Sequence, residues 1–445
     1  MNIYSSELFL LIIFIILIII GVGDEIMKVP FKSGNILIPK NIDMTKWSVV
    51  ACDQYTSEPD YWKKVNEIVG EAPSTLQLTL PEIYLEEDDV EERIEKINQN
   101  MEKMLQDDIF QEYQDSMIYL ERTQDDGKVR EGLMGIVDLE DYSYEKGSQT
   151  LIRATEKTVI ERIPPRVKVR ENALLELPHI MILIDDDKKQ IIENLKKEVK
   201  EEDIVYDFDL MQRGGHIKGY QLGKDSINRV ISQLEQLAEP SNFEEKYQVK
   251  DKGVLLFAMG DGNHSLATAK ACYEKLKESL SEEEYLNHPA RYALVELVNL
   301  HSEALEFEAI HRVLFDVDVE DLMSQLHEYY EISDDGEGQK FEIVSKDFDK
   351  TLYIKNPKSN IAVGSIQIFL DDYLKNHSGK IDYIHGEDVT KDFASQEGNV
   401  GIIFDSMAKE DLFKTVILDG ALPRKTFSMG HSHDKRFYLE ARKIK

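Results

Sequence analysis

Apolar residues along this chain recur in two periods. Short alternating or continuous runs at Ile36 to Ile38, Trp47 to Ala51, Leu133 to Asp138, Ile180 to Ile184, Tyr292 to Leu300, Ile361 to Val363 and Val400 to Phe404 predict strands. Helical spacing, often opened by a start signal such as Ser57-Glu-Pro59, predicts helices over Tyr61 to Val69, Glu86 to Gln106, Lys188 to Asp203, Ser226 to Leu237, Asp316 to Glu331 and Ile366 to Leu374. Turns are marked at Gly127, Arg213 to His216 and Ser333 to Gly338, and Pro164 and Pro165 break the stretch that begins at Ile152. This mixed order of elements predicts an α+β (mixed α/β) fold. The 445 residues exceed one ordinary core, so two intimately joined lobes are expected, residues 27–241 and 242–445.

The most informative stretch runs from Val254 to Lys270. An apolar run there collapses into the polar loop Gly260-Asp-Gly-Asn-His-Ser265 and then opens a helix reaching Leu280. Gly260 and Gly262 permit backbone angles closed to other residues, and a helix start adds roughly half a positive charge, which together would cradle a phosphate-sized anion. The same pattern also fits a plain strand-to-helix turn capped by Asp261 or Ser265.

Four stretches resemble domain-of-unknown-function family 1015. That family's loop usually reads Asp-Gly-His-His-Arg-Tyr-Glu-Thr-Ala, and the chain matches it at Asp261, Gly262, His264, Thr268 and Ala269. Ala51 to Pro59, Ile152 to Glu156 and Pro423 to Gly430 look like the same family, so the resemblance spans nearly everything from Met27 onward. The loop is also similar to the phosphate loop of the ParB and sulfiredoxin-like group, which includes an ADP-dependent kinase acting on free serine. The resemblance implies a nucleotide, ADP or ATP, with Mg²⁺. On that reading Asp261 helps hold Mg²⁺, His264 contacts phosphate or acts as acid, and the Gly262 and Asn263 N–H groups line the anion hollow. Ser265, Lys270 and Arg153 complete the cofactor-binding set, and Glu156 serves as base. Asn263, Ser265 and Ala267 depart from the usual His, Arg and Glu, and losing the arginine removes the best phosphate fork. Two functions are therefore carried forward: phosphate transfer to or from a small hydroxylated metabolite, and nucleotide sensing without turnover.

Composition narrows the partners. A net charge of −32, from 85 acidic against 53 basic side chains, repels a phosphate backbone, so nucleic acid is not an expected partner and a small-molecule substrate is. Cys52 and Cys272 are too few for a disulfide framework, which suits a cytoplasmic protein, and Cys52 reads as a buried strand residue before it reads as a nucleophile. His431 and His433 beside Asp434 are a weak metal signal, while His179, His301, His311 and His385 read as structural. Walker, Rossmann and Gly-x-Ser-x-Gly patterns are absent. Residues 1–26 form an apolar leader whose run from Leu8 to Ile20 is short for a spanning helix and lacks a basic flank. The native start is expected at Met27, with a membrane anchor through residues 8–23 as the alternative.

Overall fold

The computed structural model describes residues 28–156 and 163–445. The apolar leader, Met27 and the stretch before Pro164 from residue 157 to 162 lie outside the described residues. Two sheets organise an α+β fold. The larger runs in the order Ile204–Asp209, His216–Gln221, Ile118–Thr123, Val129–Asp138, Tyr292–Asn299, Met181–Ile184, Phe257–Asp261, Ile152–Arg153, Tyr142–Ser143, with Phe31–Lys32 added beside Val129–Asp138. It is mixed: Met181–Ile184 lies parallel to Tyr292–Asn299 but antiparallel to Phe257–Asp261. The smaller sheet is antiparallel and is centred on Gln339–Val344, Val400–Ile403 and Phe307–Phe315.

Period-2 alternation sorts the larger sheet's side chains between two cores. Ile182, Ile184, Phe257, Met259, Val295 and Leu297 face the helices Lys224–Ala238 and Asn263–Lys277 through Val230, Leu234, Leu266 and Tyr273. Met181, Leu183, Ala258 and Val298 point the other way and share a core with Leu314, Ile343 and Ile402 of the smaller sheet. That shared core is what joins the two sheets. The sheets do not part at residue 242, because Phe257–Asp261 and Tyr292–Asn299 are central strands of the larger one. The C-terminal segment also returns to the first half, where Phe437, Tyr438, Leu439 and Ala441 pack with Trp47, Val49 and Val50.

Three local expectations differ. Met44–Trp47 is a helical turn, since the Asp43 carboxylate accepts from the N–H groups of Thr45 and Lys46. The acidic stretch 188–203 forms only the 3₁₀ turns Glu193–Lys197 and Glu201–Asp203, because Asp186 accepts from the N–H groups of Gln190 and Ile191 and diverts the backbone. Residues 361–363 open the helix Ala362–Tyr373 instead of forming a strand. Among the described residues, no helix is long and apolar enough to cross a membrane.

Candidate functional site

The strand Phe257–Asp261 ends at Gly262, which takes φ of +77° and opens the helix Asn263–Lys277. A Cβ on Gly262 would come 3.0 Å from Ile180 Cα, so both the backbone angle and the close approach call for glycine. Gly260 is different, since it sits inside the strand and its φ is not positive. The helix start has no side-chain cap. Its first intrahelical bond runs from Leu266 N–H to the Gly262 carbonyl at 3.0 Å, so the amides of Asn263, His264 and Ser265 precede the helical ladder. The Gly262 N–H, expected to line the hollow, instead donates to the Asp261 carboxylate at 2.9 Å. Asn263 Oδ1 is buried without a hydrogen-bond partner.

Asp261 is paired across the chain with Lys435, whose Nζ lies 3.2 Å from Oδ2. Glu156 reaches the same neighbourhood: it bridges to Leu422 and lies close enough to Asp261 to feel its charge. Burial raises the Glu156 carboxyl above its ordinary value, and Asp261 adds to this against the opposing pull of Lys425 and Arg312. The stretch carrying Lys425 is pinned by Arg312, a fully buried guanidinium that donates to the carbonyls of Arg424 and Lys425.

Behind the helix start stands His179. Its Nε2 is 3.2 Å from Ser265 Oγ and 3.5 Å from Asp53 Oδ2, and its Nδ1 is 2.9 Å from the Tyr438 hydroxyl. Burial alone would lower His179, but the Asp53 carboxylate beside it, backed by Asp261 and Glu82, carries it above the ordinary histidine value. Asp53 is correspondingly held well below the usual carboxylate range: burial opposes this, and His179, Gln54 and Lys435 prevail. Serine and aspartate approach the same ring nitrogen, so this is not the geometry of a Ser-His-Asp triad, in which the acid takes the other one. Cys52 is pushed up to about 12 by burial and then by Asp53, which removes it as a nucleophile.

Two expected ligand residues point elsewhere. Arg153 is committed to the backbone, donating to the carbonyls of Thr150, Gly253 and Val254, where it holds the approach to the loop strand. Lys270 lies on a later turn of the helix, bonded to the Leu139 carbonyl at 2.8 Å and paired with Glu274 at 2.7 Å. His179, expected to be structural, lies buried behind the helix start, and Lys435 carried no sequence signal. His431 and His433 stack at 5.3 Å beside Asp434 in a segment held by Arg122 and Arg130, which accounts for their spacing without a metal.

The residues present do not fit a resident Mg²⁺. Among the described residues, no three His, Cys, Asp or Glu side chains converge as a metal would need, and Lys435 already neutralises Asp261.

An α+β fold in which a glycine hands a strand to an uncapped helix, with a buried imidazole and an acid-base cluster around it, is the class that the geometry defines. The chain belongs to the family of proteins of unknown function DUF1015, whose model matches residues 36–373. No curated protein matches it in sequence. Among solved structures it is similar to a free serine kinase in complex with AMP, at 10% identity and a TM-score of 0.36, covering 70% of this chain and 90% of that one. It is also similar to a conserved hypothetical protein from Pyrococcus furiosus, at 10% identity and a TM-score of 0.34, covering 70% of this chain and 94% of that one. SbnI with a C-terminal truncation, from Staphylococcus aureus, is similar at 9% identity and a TM-score of 0.34, covering 67% of this chain and 82% of that one.

Proposed function

We propose that the chain binds a nucleotide or other phosphate-bearing metabolite at the start of the helix Asn263–Lys277 and transfers phosphate to or from a small hydroxylated molecule. The observation that carries this reading is the uncapped first turn opened by Gly262, with Lys435 paired to Asp261 and Glu156 close enough to feel the Asp261 charge. The first-turn amides and the helix dipole hold the phosphate, with Ser265 and His264 beside them. Burial raises the Glu156 carboxyl above its ordinary value, which makes it a stronger base for the acceptor hydroxyl. It accepts the proton of the acceptor hydroxyl as that oxygen bonds to phosphorus and the bond to the leaving phosphate oxygen breaks. Any Mg²⁺ would enter on the nucleotide's own phosphates.

One observation favours the second reading, nucleotide sensing without turnover: Lys435 occupies the carboxylate that a phosphotransferase would offer to a metal. Titration with a nucleotide panel, following melting and nucleotide depletion together, separates the two. An enzyme depletes nucleotide, and Glu156→Gln lowers that rate by about 10² to 10⁴ while keeping the ligand-dependent melting shift. A sensor shows the shift alone. The absence of a shift with every nucleotide and with inorganic phosphate overturns both.

A further inference from the structure

The stretch Pro423 to Gly430, one of the four that resemble the family, begins as a turn fastened beside Glu156. Leu422 donates its N–H to the Thr155 carbonyl at 2.7 Å and bridges to Glu156, while the Thr155 hydroxyl donates to the Met259 carbonyl at 2.9 Å. The turn, the Thr155 and Glu156 pair and the strand Phe257–Asp261 are thus tied in series. Within the turn the Thr426 hydroxyl donates to the Pro423 carbonyl at 2.7 Å, and Arg312 holds the carbonyls of Arg424 at 3.0 Å and Lys425 at 2.9 Å. Lys425 takes φ of +54°, a left-handed backbone that suits glycine better than a residue with a side chain.

The cations around Glu156 and Asp261 differ in how far they are already committed. Lys435 is paired with Asp261. Arg312 directs its guanidinium to the carbonyls of Ile310, Arg424 and Lys425 and to the Gln367 side chain. Arg424 is paired with Asp371 at 3.1 Å. Lys425 is exposed and makes no ion pair among the described residues, while its charge, with those of Asp261 and Arg312, acts on Glu156. Resting on the phosphate reading of the helix start, we propose that Lys425 is the phosphate-binding cation of this site, taking the part of the arginine that Ser265 replaces in the loop. An ammonium on a flexible stem is a point charge that follows a phosphate without needing the fixed geometry of an arginine fork. The strained backbone at Lys425 is kept because the turn presents this charge beside the base. As the acceptor hydroxyl gives its proton to Glu156, that carboxylate loses its charge, and the ammonium is left to the phosphate alone.

The test is calorimetric titration of the full chain with inorganic phosphate and with ADP. Lys425→Met and Lys425→Gly should each bind both at least about ten-fold more weakly than the parent, the loss expected of one hydrogen bond between charged groups. Lys425→Arg should keep most of the affinity, because the charge stays. Arg424→Met removes the same charge one residue away, from a guanidinium already paired at the surface, and should bind like the parent. Lys425→Gly should also melt close to the parent temperature, since relief of the left-handed backbone offsets the added freedom of the unfolded chain. Should Lys425→Met fail to fold, Lys425→Gly decides. Binding by Lys425→Met as tight as the parent's overturns the assignment and leaves the helix-start reading in place. An equal loss in Arg424→Met does the same, because the effect would then belong to net charge, and so does a large fall in the melting temperature of Lys425→Gly, which would make the lysine a support of the turn. A parent that binds neither phosphate nor ADP overturns the helix-start reading and this assignment with it.

Discussion

Asp261 Oδ2 and Lys435 Nζ meet at 3.2 Å, with both side chains largely buried, so the C-terminal segment closes directly onto the loop that opens the helix. The contact sets the local charge. Without its partner, the Asp261 carboxylate would stand at the helix start and cancel the partial positive charge that favours an anion.

Lys435→Met is therefore expected to weaken phosphate or ADP binding by about ten-fold, the order expected of one unpaired charge a few ångströms from the ligand in a partly screened site. Adding Asp261→Asn to that variant should restore most of the loss. A double-mutant cycle followed by calorimetry measures the coupling. Losses that simply add would detach the ion pair from anion binding.

Gly262→Ala forces a side chain into positive φ and sets its Cβ against Ile180 Cα at 3.0 Å. The backbone alone costs about 1–2 kcal/mol, and the displaced strand adds to it. Gly260→Ala meets only the Leu183 side chain and the Met181 carbonyl, at ordinary strand φ, and should cost less. Denaturant unfolding of the two variants ranks them; equal costs would mean that the left-handed turn is not the constraint.

The His179 and Asp53 pair should shape the stability curve against pH. His179 is raised in the fold, so its contribution is complete below about pH 6.5 and fades as pH climbs through the raised value. Asp53 is depressed, so its contribution is present above about pH 3.9 and fades only as pH falls toward its lowered value. Asp261, Glu82 and Cys52 also act on or beside this pair, so Asp53→Asn isolates it better than His179→Phe does. Melting temperatures from pH 4 to 9 should show the parent's advantage over Asp53→Asn greatest between about pH 4 and 6.5 and shrinking above. A constant difference across the range would remove the ion pair from the account.

The strand, glycine and helix from Val254 to Lys277 were legible in the sequence because the periodicity changes from apolar run to helix within a few residues. Glu156 was singled out through the resemblance of a second stretch, and it lies close enough to Asp261 to feel its charge. What escaped has a common cause. His179, Asp53 and the C-terminal pair Lys435 and Tyr438 come from three distant segments, and only the sheet order and the returning C-terminus bring them together. Arg153 and Lys270 were misplaced for a related reason: sequence gives a cation's position along a strand or helix, whereas nearby carbonyls decide where its side chain points. The strand Phe110–Ser116 is polar along most of its length and carries little alternation to detect.

The segment that carries Lys435 is held by side chains far from the loop. Arg122, 1% exposed, donates to the carbonyls of Gly214, His433 and Lys435, and Arg130 donates to the carbonyl of Asp434 while pairing with the fully buried Glu296. Arg436 completes that network by joining Glu296 to Glu440. Arg122→Met removes three charge-assisted bonds to backbone carbonyls without stranding a carboxylate, so the loss should stay local, at about 3 kcal/mol. Hydrogen exchange is expected to accelerate across residues 431–436 and hardly at all in the strand Tyr292–Asn299. Phosphate affinity should drop toward that of Lys435→Met, because a loosened segment no longer delivers its ammonium to Asp261. Uniformly faster exchange throughout the larger sheet would show that Arg122 supports the fold as a whole and does not specifically fasten the segment that completes the site.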